Sequence, residues 1–396
     1  MPYDVRRRPA ALLILLGAVT ATGPLAIDMY LPAFPAISDD LDAAPARVQL
    51  TLTACLIGVA LGQLIGGPLS DRWGRRRPVL AGTVGYLLLA LACAAAPSAE
   101  ALVGLRLLQG VAGGVGVVVA RAVVRDLFSG VDAVRFTSRL LIIFGVAPIA
   151  APALGALVLR FTSWRGIFVV LAVIAALLAV VLARWLPETL PVERRNTDGL
   201  AGIMRAARLL LTDRAFVGYA LTQGLAFAGL FTYIAGSPYV LQDGFGLSPG
   251  LFSVVFGVNA VGLIALGQLN ARLVRRHRPR SLFVGALVAG LVAAAALVLG
   301  AGTGELWLIL PALAAYVCTI GMVLPNGTAL ALEAHARHAG TAAAVLGAVG
   351  SGIGALAAPL VGLAGTTSAV PMALIILGAA ALSLTVMLTL ARARSA

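Results

Sequence analysis

Apolar residues fall in twelve runs, near residues 10–36, 47–70, 78–97, 100–124, 136–160, 165–186, 215–240, 249–272, 280–301, 305–330, 339–364 and 368–391. A helix of about 20 apolar residues crosses ~30 Å of hydrocarbon, and each run approaches or exceeds that length. The hydrophobicity shows no period of two, which excludes the alternating strands of a membrane barrel. The pattern predicts an all-α membrane protein of twelve transmembrane helices. The longest polar connector, "PETLPVERRNTDGLAGIMRAARLLLTDR", occupies 187–214 and sets six runs against six. It predicts an N-terminal bundle over 1–186, a linker over 187–214 and a C-terminal bundle over 215–396. The first run follows Arg6, Arg7 and Arg8 and meets no small-residue cleavage site before "DMYLP". It is expected to be a retained helix rather than a signal peptide.

Composition agrees: hydrophobic residues are 60% of the chain, charged residues 11%, and mean hydropathy is +1.00. The net charge of +13 comes from arginine alone, because the chain has no lysine. That removes a P-loop lysine and a Schiff-base lysine, so the chain is expected to carry no nucleotide-driven motor. With the N-terminus inside, the cytoplasmic connectors hold Arg6–Arg8, Arg72, Arg75–Arg77, Arg125, Arg135, Arg194, Arg195, Arg205, Arg208, Arg272, Arg275, Arg276, Arg278, Arg280, Arg337, Arg392 and Arg394. The opposite connectors hold Arg47, Arg160 and Arg165, with Asp39, Asp40, Asp42, Glu100, Asp243 and Glu305. The positive-inside rule then places both termini in the cytoplasm. Basic charge spread over inner-face loops also speaks against nucleic-acid binding. Cys55, Cys93 and Cys318 lie in apolar runs without metal spacing, and His277, His335 and His338 read as solvated connector residues. No metal and no cofactor are expected.

The two halves resemble each other. "GPLSDRWGRR" (67–76) and "GQLNARLVRR" (267–276) align at an offset of 200, and "APALG" (151–155) and "APLVG" (358–362) at 207. A same-direction repeat of six-helix units is the plan of an alternating-access carrier. The Gly-x-x-x-Gly spacings at Gly58/Gly62/Gly66, Gly110/Gly114 and Gly350/Gly354 suit close helix contacts.

Charged residues inside spans are costly and mark pathways or proton sites. Asp28 stands roughly 27 Å along the first span and Arg106 roughly 10 Å into the fourth from the other side, at 1.5 Å per residue. Opposite charges at similar depth form either a structural tie or a pair that separates when Asp28 takes a proton or a substrate competes for Arg106. The fifth run, "GVAPIAAPALGAL" (145–157), combines Pro148 and Pro152, which bend a helix, with Gly145 and Gly155, which admit a neighbour.

"GPLSDRWGRRRPVL" (67–80) bridges the second and third runs. Gly67 permits close approach, Gly74 lets the loop turn, and Asp71 can pair with Arg72, Arg75, Arg76 or Arg77. The stretch resembles the Gly-x-x-x-Asp-x-x-Gly-Arg-Arg signature of the major facilitator superfamily. The resemblance implies an inner-face latch stabilising the outward-open state, formed by Gly67, Asp71, Arg72, Gly74, Arg75 and Arg76 with Arg121. The second-half copy has Ala271 where Asp71 stands, so it lacks the latch carboxylate. The fifth run resembles the antiporter motif of that superfamily.

The stretches "DMYLPAFPAI", "LRLLQGVAGG", "ARAVVRDLF", "FTYIAGSPYVLQ" and "HAGTAAAVLGAVGSGIGALAAPLVG" are similar to the Bcr/CflA branch, the bicyclomycin- and chloramphenicol-resistance type of multidrug efflux protein. The likeness implies that Asp28 and Arg106 couple protons. It also implies that Asp28, Tyr30, Arg106, Gln109, Gln223, Phe231, Tyr233, Tyr239, Asn259 and Asn326 meet the substrate. Taken from the residues alone, the aromatics can equally be packing groups, and Gln223, Asn259 and Asn326 can equally be interhelical ties. The expectation is a monomeric proton-coupled antiporter of a bacterial inner membrane, with a small drug, protons and the bilayer as partners. A proton/solute symporter for a small metabolite is one other reading, and a non-transporting membrane scaffold or receptor on the same fold, which the latch and the repeat speak against, is the second.

Overall fold

The computed structural model describes residues 9–128, 130–195, 208–333, 335, 339–365 and 368–391. Each apolar run is helical there. The first half holds α1 (Pro9–Asp28), a short α2 (Phe34–Asp40), α3 (Pro45–Trp73), α4 (Arg76–Ala94), α5 (Ala99–Leu127), α6 (Gly130–Leu159) and α7 (Trp164–Trp185). The second holds α8 (Arg214–Tyr239), α9 (Pro249–Leu273), α10 (Pro279–Thr303), α11 (Leu306–Glu333), α12 (Ala339–Ala364) and α13 (Val370–Thr389). Among the described residues, 11 spans are long and apolar enough to cross a bilayer, α1 and α2 counting as one; α6 has 30 residues, with a described apolar stretch at Val146–Leu159. Of the linker assigned to 187–214, residues 196–207 lie outside the described residues. So do Arg6–Arg8, Arg337, His338, Arg392 and Arg394 of the charge count.

The first span is not one helix, as its unbroken hydrophobicity suggests. It stops at Asp28, passes through a 3-10 turn at Leu31–Ala33 and resumes as α2. Pro32 explains the stop: it has no N–H to give the carbonyl four residues earlier, which is that of Asp28. Elsewhere the ends follow ordinary capping chemistry. Ser98 Oγ accepts from Ala101 N at 3.2 Å, Ser248 Oγ from Leu251 N at 3.3 Å, and Asp213 Oδ1 from Ala215 N at 2.9 Å. Asp213 also corrects the reading of His335 as a solvated residue: His335 Nε2 lies 2.9 Å from Asp213 Oδ2 and its ring meets Phe216 edge-on. Burial pushes the Asp213 carboxyl up, but the Ala215 N–H and His335 outweigh it and hold it below the usual range.

By contacts the chain forms two compact units, Met1–Ala43 with Ala54–Leu200, and Ala44–Thr53 with Ala201–Ala396. The first turns of α3 thus belong to the second unit and the rest of the helix to the first. In the first unit α1 packs on α5 and α6, and α4 on α5 and α7. In the second, α8 packs on α11 and α12, and α10 on α11 and α13. The same pairing plan serves both units. Large side chains such as Leu88, Leu177, Leu299 and Leu363 stay exposed, as helices facing lipid require.

Glycines set the closest crossings. A Cβ on Gly58 would lie 2.1 Å from the Leu107 carbonyl oxygen, one on Gly62 2.1 Å from that of Val111, and one on Gly110 2.2 Å from that of Cys55. α3 and α5 therefore touch backbone to backbone. In the second unit Gly321 meets the Leu263 carbonyl in the same way, at 2.1 Å. The Gly350/Gly354 pair differs, since its neighbours are the rings of Phe227 and Phe231.

Replacing Gly110 by Ala should force α3 and α5 apart and cost about 1–3 kcal/mol, read as a lower unfolding temperature in detergent. Gly104 lies on the same helix and has nothing within 4 Å of an added Cβ. Gly104→Ala should be neutral or stabilising by up to ~1 kcal/mol; equal losses for the two would refute the crossing as the cause.

Candidate functional site

Two polar constellations lie in the first unit. One sits within the spans at the break of α1. Asp28, the last residue of α1, is buried, and its carboxylate makes no hydrogen bond or ion pair among the described residues. Gly155 of α6 fixes the chain just beyond it: a Cβ there would stand 2.0 Å from the Met29 carbonyl oxygen. The glycine of the fifth-run motif is thus the seat for the backbone that follows Asp28.

Arg106 on α5 is fully buried. Its Nη1 donates to Gln109 Oε1 at 2.7 Å and its Nη2 to the Ala26 carbonyl at 2.9 Å. The guanidinium carbon lies 4.9 Å from the Tyr30 ring centre and 5.7 Å from that of Phe168. Those π faces offset part of the cost of a cation in a dry site. Arg106 Nε and Gln109 Nε2 are buried without partners among the described residues. The direct Asp28–Arg106 pair considered from the sequence does not form; Arg106 settles on a carbonyl two residues before Asp28, an amide and two rings. A carboxylate without a counter-ion and two spare donors therefore occur at one level of α1 and α5.

Phe168 of α7 was invisible in the sequence, because one Phe in an apolar run carries no mark. Its Tyr30 contact, with ring centres 5.3 Å apart, appears only once α1 and α7 are packed.

The second constellation is the turn between α3 and α4. Arg75 is its hub: Nη1 donates to Asp71 Oδ1 at 2.5 Å and Ser70 Oγ at 2.7 Å, while Nε donates to Asp126 Oδ2 at 2.8 Å. Thr189 Oγ1 donates to the same Asp126 oxygen at 3.1 Å. Burial works against the charge of Arg75, but Asp126 and Asp71 outweigh it and hold the guanidinium above its ordinary range. Glu188 sits at the start of α4, accepting Arg75 N at 2.7 Å and Arg76 N at 3.2 Å. Carboxylates are favoured at that helix end.

Gly74 has φ +86°, and a Cβ there would stand 2.3 Å from Glu188 Oε2. It serves both as a left-handed turn residue and as the seat of Glu188. The close approach expected at Gly67 belongs instead to Gly66. A Cβ on Gly66 would meet Val115 Cα at 2.9 Å, while one on Gly67 would reach only Val118 at 3.8 Å. Arg76 donates to the Ala183 carbonyl. Arg72 and Arg121 are exposed and join none of these bonds. Asp126 and Glu188 went unassigned in the sequence, although "ARAVVRDLF" and "PETL" display them at the ends of α5 and α7.

In the second unit Gln223, Asn259 and Asn326 are engaged with neighbouring helices, while Ser237 Oγ and Gln242 Nε2 are buried without partners among the described residues. Gln223 Nε2 donates to the Leu324 carbonyl at 2.8 Å and Thr328 Oγ1 at 3.1 Å. Asn259 donates to the Tyr233 hydroxyl at 3.0 Å, and Asn326 to Asn270 Oδ1 at 2.6 Å. Tyr233 stacks on Phe256, Phe231 lies against Phe227, and Tyr239 is fully buried. These bonds tie α8, α9 and α11 together.

Asp126 is the more buried partner of Arg75, with side-chain exposure of 15% against 42% for Asp71. Asp126→Ala should therefore cost about 1–3 kcal/mol of stability, and Asp71→Ala less than about 1 kcal/mol. Thermal unfolding of both variants in detergent decides it, and the reverse order would remove Asp126 from the hub.

A sequence model of the Major Facilitator Superfamily matches residues 16–359. The "Uncharacterized MFS-type transporter YdgK" of Bacillus subtilis (strain 168) is 42% identical over 365 residues, covering 91% of this chain and 90% of that protein. The "Bicyclomycin resistance protein homolog" of Haemophilus influenzae is 32% identical over 361 residues, covering 91% of each. A solved structure of the nucleoside transporter NupG superposes with a TM-score of 0.81 at 13% identity, over 97% of this chain and 100% of that one; at that identity it shows the fold alone. A match over most of the chain, on helices of this number and packing, means that the protein belongs to the Major Facilitator Superfamily.

Proposed function

We propose that the chain is a proton-coupled multidrug exporter of the Bcr/CflA type, moving small antibiotics out of a bacterial cell by alternating access. The observation that carries this reading is Asp28: a buried carboxylate at a helix break, without a counter-ion among the described residues. A permanent structural charge would have a partner, whereas a group that gains and loses a proton is built without a fixed one. A relative named for bicyclomycin resistance supports export rather than uptake.

Arg106 Nε and Gln109 Nε2 are the two donors left open for a substrate, and Tyr30 supplies an aromatic face beside them. That set suits an apolar molecule carrying hydrogen-bond acceptors. Drug binding and protonation compete at one place, so each drives out the other. The energy suffices without ATP: an inward proton gains about 2.3 kcal/mol per 100 mV and ~1.4 kcal/mol per pH unit. Together these support a gradient of several hundred-fold for a neutral drug.

Adding bicyclomycin or chloramphenicol to weakly buffered, detergent-solubilised protein should release protons from the parent and none from Asp28→Asn. Affinity should fall as pH falls, because the proton is the competitor. In everted vesicles the parent should accumulate drug under a pH gradient and Asp28→Asn should not. Equal proton release by Asp28→Asn would move the coupling site elsewhere, and proton-driven uptake of a metabolite by intact cells would replace export with symport.

A further inference from the structure

The turn between α9 and α10 repeats the turn between α3 and α4, "GQLNARLVRR" (267–276) against "GPLSDRWGRR" (67–76). The two use their arginines differently. In the first half Arg75 reaches Asp71 and Asp126, and Glu188 accepts the backbone N–H groups of Arg75 and Arg76 at the start of α4. In the second half Ala271 stands where Asp71 does. Arg272, Arg275, Arg276 and Arg278 are all exposed, and none has a carboxylate within ion-pair distance among the described residues. The first turn of α10 holds no acidic residue either. Arg280 is set apart, half-buried near Tyr219 together with Glu333.

The chain past the end of α9 keeps these cations together. Arg275 N donates to the Arg272 carbonyl at 3.3 Å and Arg276 N to that of Leu273 at 2.9 Å, so Arg272, Arg275 and Arg276 stay on one side at helical spacing. Topology and the dipole at the end of α9 are each served by an arginine in its last turn, which Arg272 supplies. The others add mutual repulsion that no side chain nearby offsets. Position indicates what does. α9 is the least buried of the 11 spans, so most of its surface faces hydrocarbon, and exposed Leu269 and Val274 carry that apolar face up to the arginines. A phospholipid headgroup is the neighbour of a turn placed in this way.

From this we infer that Arg272, Arg275, Arg276 and Arg278 bind the phosphate of an anionic phospholipid, such as phosphatidylglycerol, in the cytoplasmic leaflet. The lipid supplies from outside the negative charge that Asp71, Asp126 and Glu188 supply from inside in the first half. A guanidinium meets phosphate oxygens through two parallel N–H bonds, and each arginine beside the membrane surface strengthens binding to an anionic headgroup about fivefold. The site goes beyond drug export and is independent of the cargo. It rests on the membrane reading and on the cytoplasmic side that the arginines assign.

Native mass spectrometry of the detergent-solubilised full chain counts bound lipid, with phosphatidylglycerol set against phosphatidylcholine of the same acyl chains. The parent should bind phosphatidylglycerol at least about fivefold more tightly. Arg275→Gln/Arg276→Gln should weaken that binding at least about tenfold. Arg208→Gln/Arg214→Gln removes the same charge from other exposed positions and should change it less than about threefold, because charges beyond a Debye length are screened. Ala271→Asp keeps every arginine and installs the carboxylate of the first half one helical turn before Arg275; it should weaken binding about fivefold. Thermal unfolding in lipid-free detergent checks that each variant is folded. Phosphatidylcholine bound as tightly as phosphatidylglycerol, equal losses in the two double variants, or an unaffected Ala271→Asp protein each overturns the site. Displacement of the lipid by excess inorganic phosphate would make it a site for soluble anions and overturn the lipid assignment.

Discussion

Hydrocarbon offers no hydrogen-bond partner, so a polar group within a span must find one inside the protein or bear the cost. That constraint accounts for most of what is specific here. Gln223 and Asn259 of the second unit spend donors on neighbouring helices. Arg106 in the first unit finds an amide, a carbonyl and two aromatic faces. Against that background the groups left over stand out, because each is a cost that packing alone does not explain. Among the described residues they include the Asp28 carboxylate, Arg106 Nε and Gln109 Nε2 in the first unit and Ser237 Oγ and Gln242 Nε2 in the second.

Two buried arginines of the first unit, Arg75 and Arg106, show how environment separates two tasks. Arg75 sits in the turn beyond α3 with Asp71 and Asp126 on its guanidinium, and Glu188 on its backbone N–H. Two carboxylates meet its charge, and through Asp126 the turn is tied to α5. Arg106 has no carboxylate within ion-pair distance among the described residues, and its charge is only spread over dipoles and rings. A neutralised cation suits a fixed joint. A cation met only by dipoles remains responsive to any charge that appears or disappears nearby, which is what the proposed coupling to a proton on Asp28 would require.

The all-helical membrane fold and the signature turn were legible in the sequence, because hydrophobic length and glycine–arginine spacing are local properties. The break after Asp28 was also written there, in Pro32, but hydropathy averages over it and reports one span. What could not be read was any contact whose partner lies on another helix. Phe168, Asp126 and Glu188 are ordinary residues until folding brings them to Arg106, Arg75 and Gly74. Gly155 was visible as a residue that admits a neighbour; that the neighbour is the backbone after Asp28 required the packing of α1 on α6. Gly67 misled for the same reason, since its neighbour Gly66 makes the close approach and spacing alone does not distinguish them.

Proline poses the same problem at two places in the chain. In a membrane helix each proline frees a carbonyl, and the freed carbonyl must be answered by something other than the helix itself. At Pro32 the helix simply ends, and the end leaves a buried carboxylate at a bend. At Pro359 the helix continues, and a hydroxyl from α3 answers the carbonyl instead. A helical bond is locked by its neighbours, whereas a side-chain bond of about 1 kcal/mol can be given up singly. The backbone contacts of α3 with α5, set by Gly58, Gly62 and Gly110, are of the other kind, since no side chain mediates them.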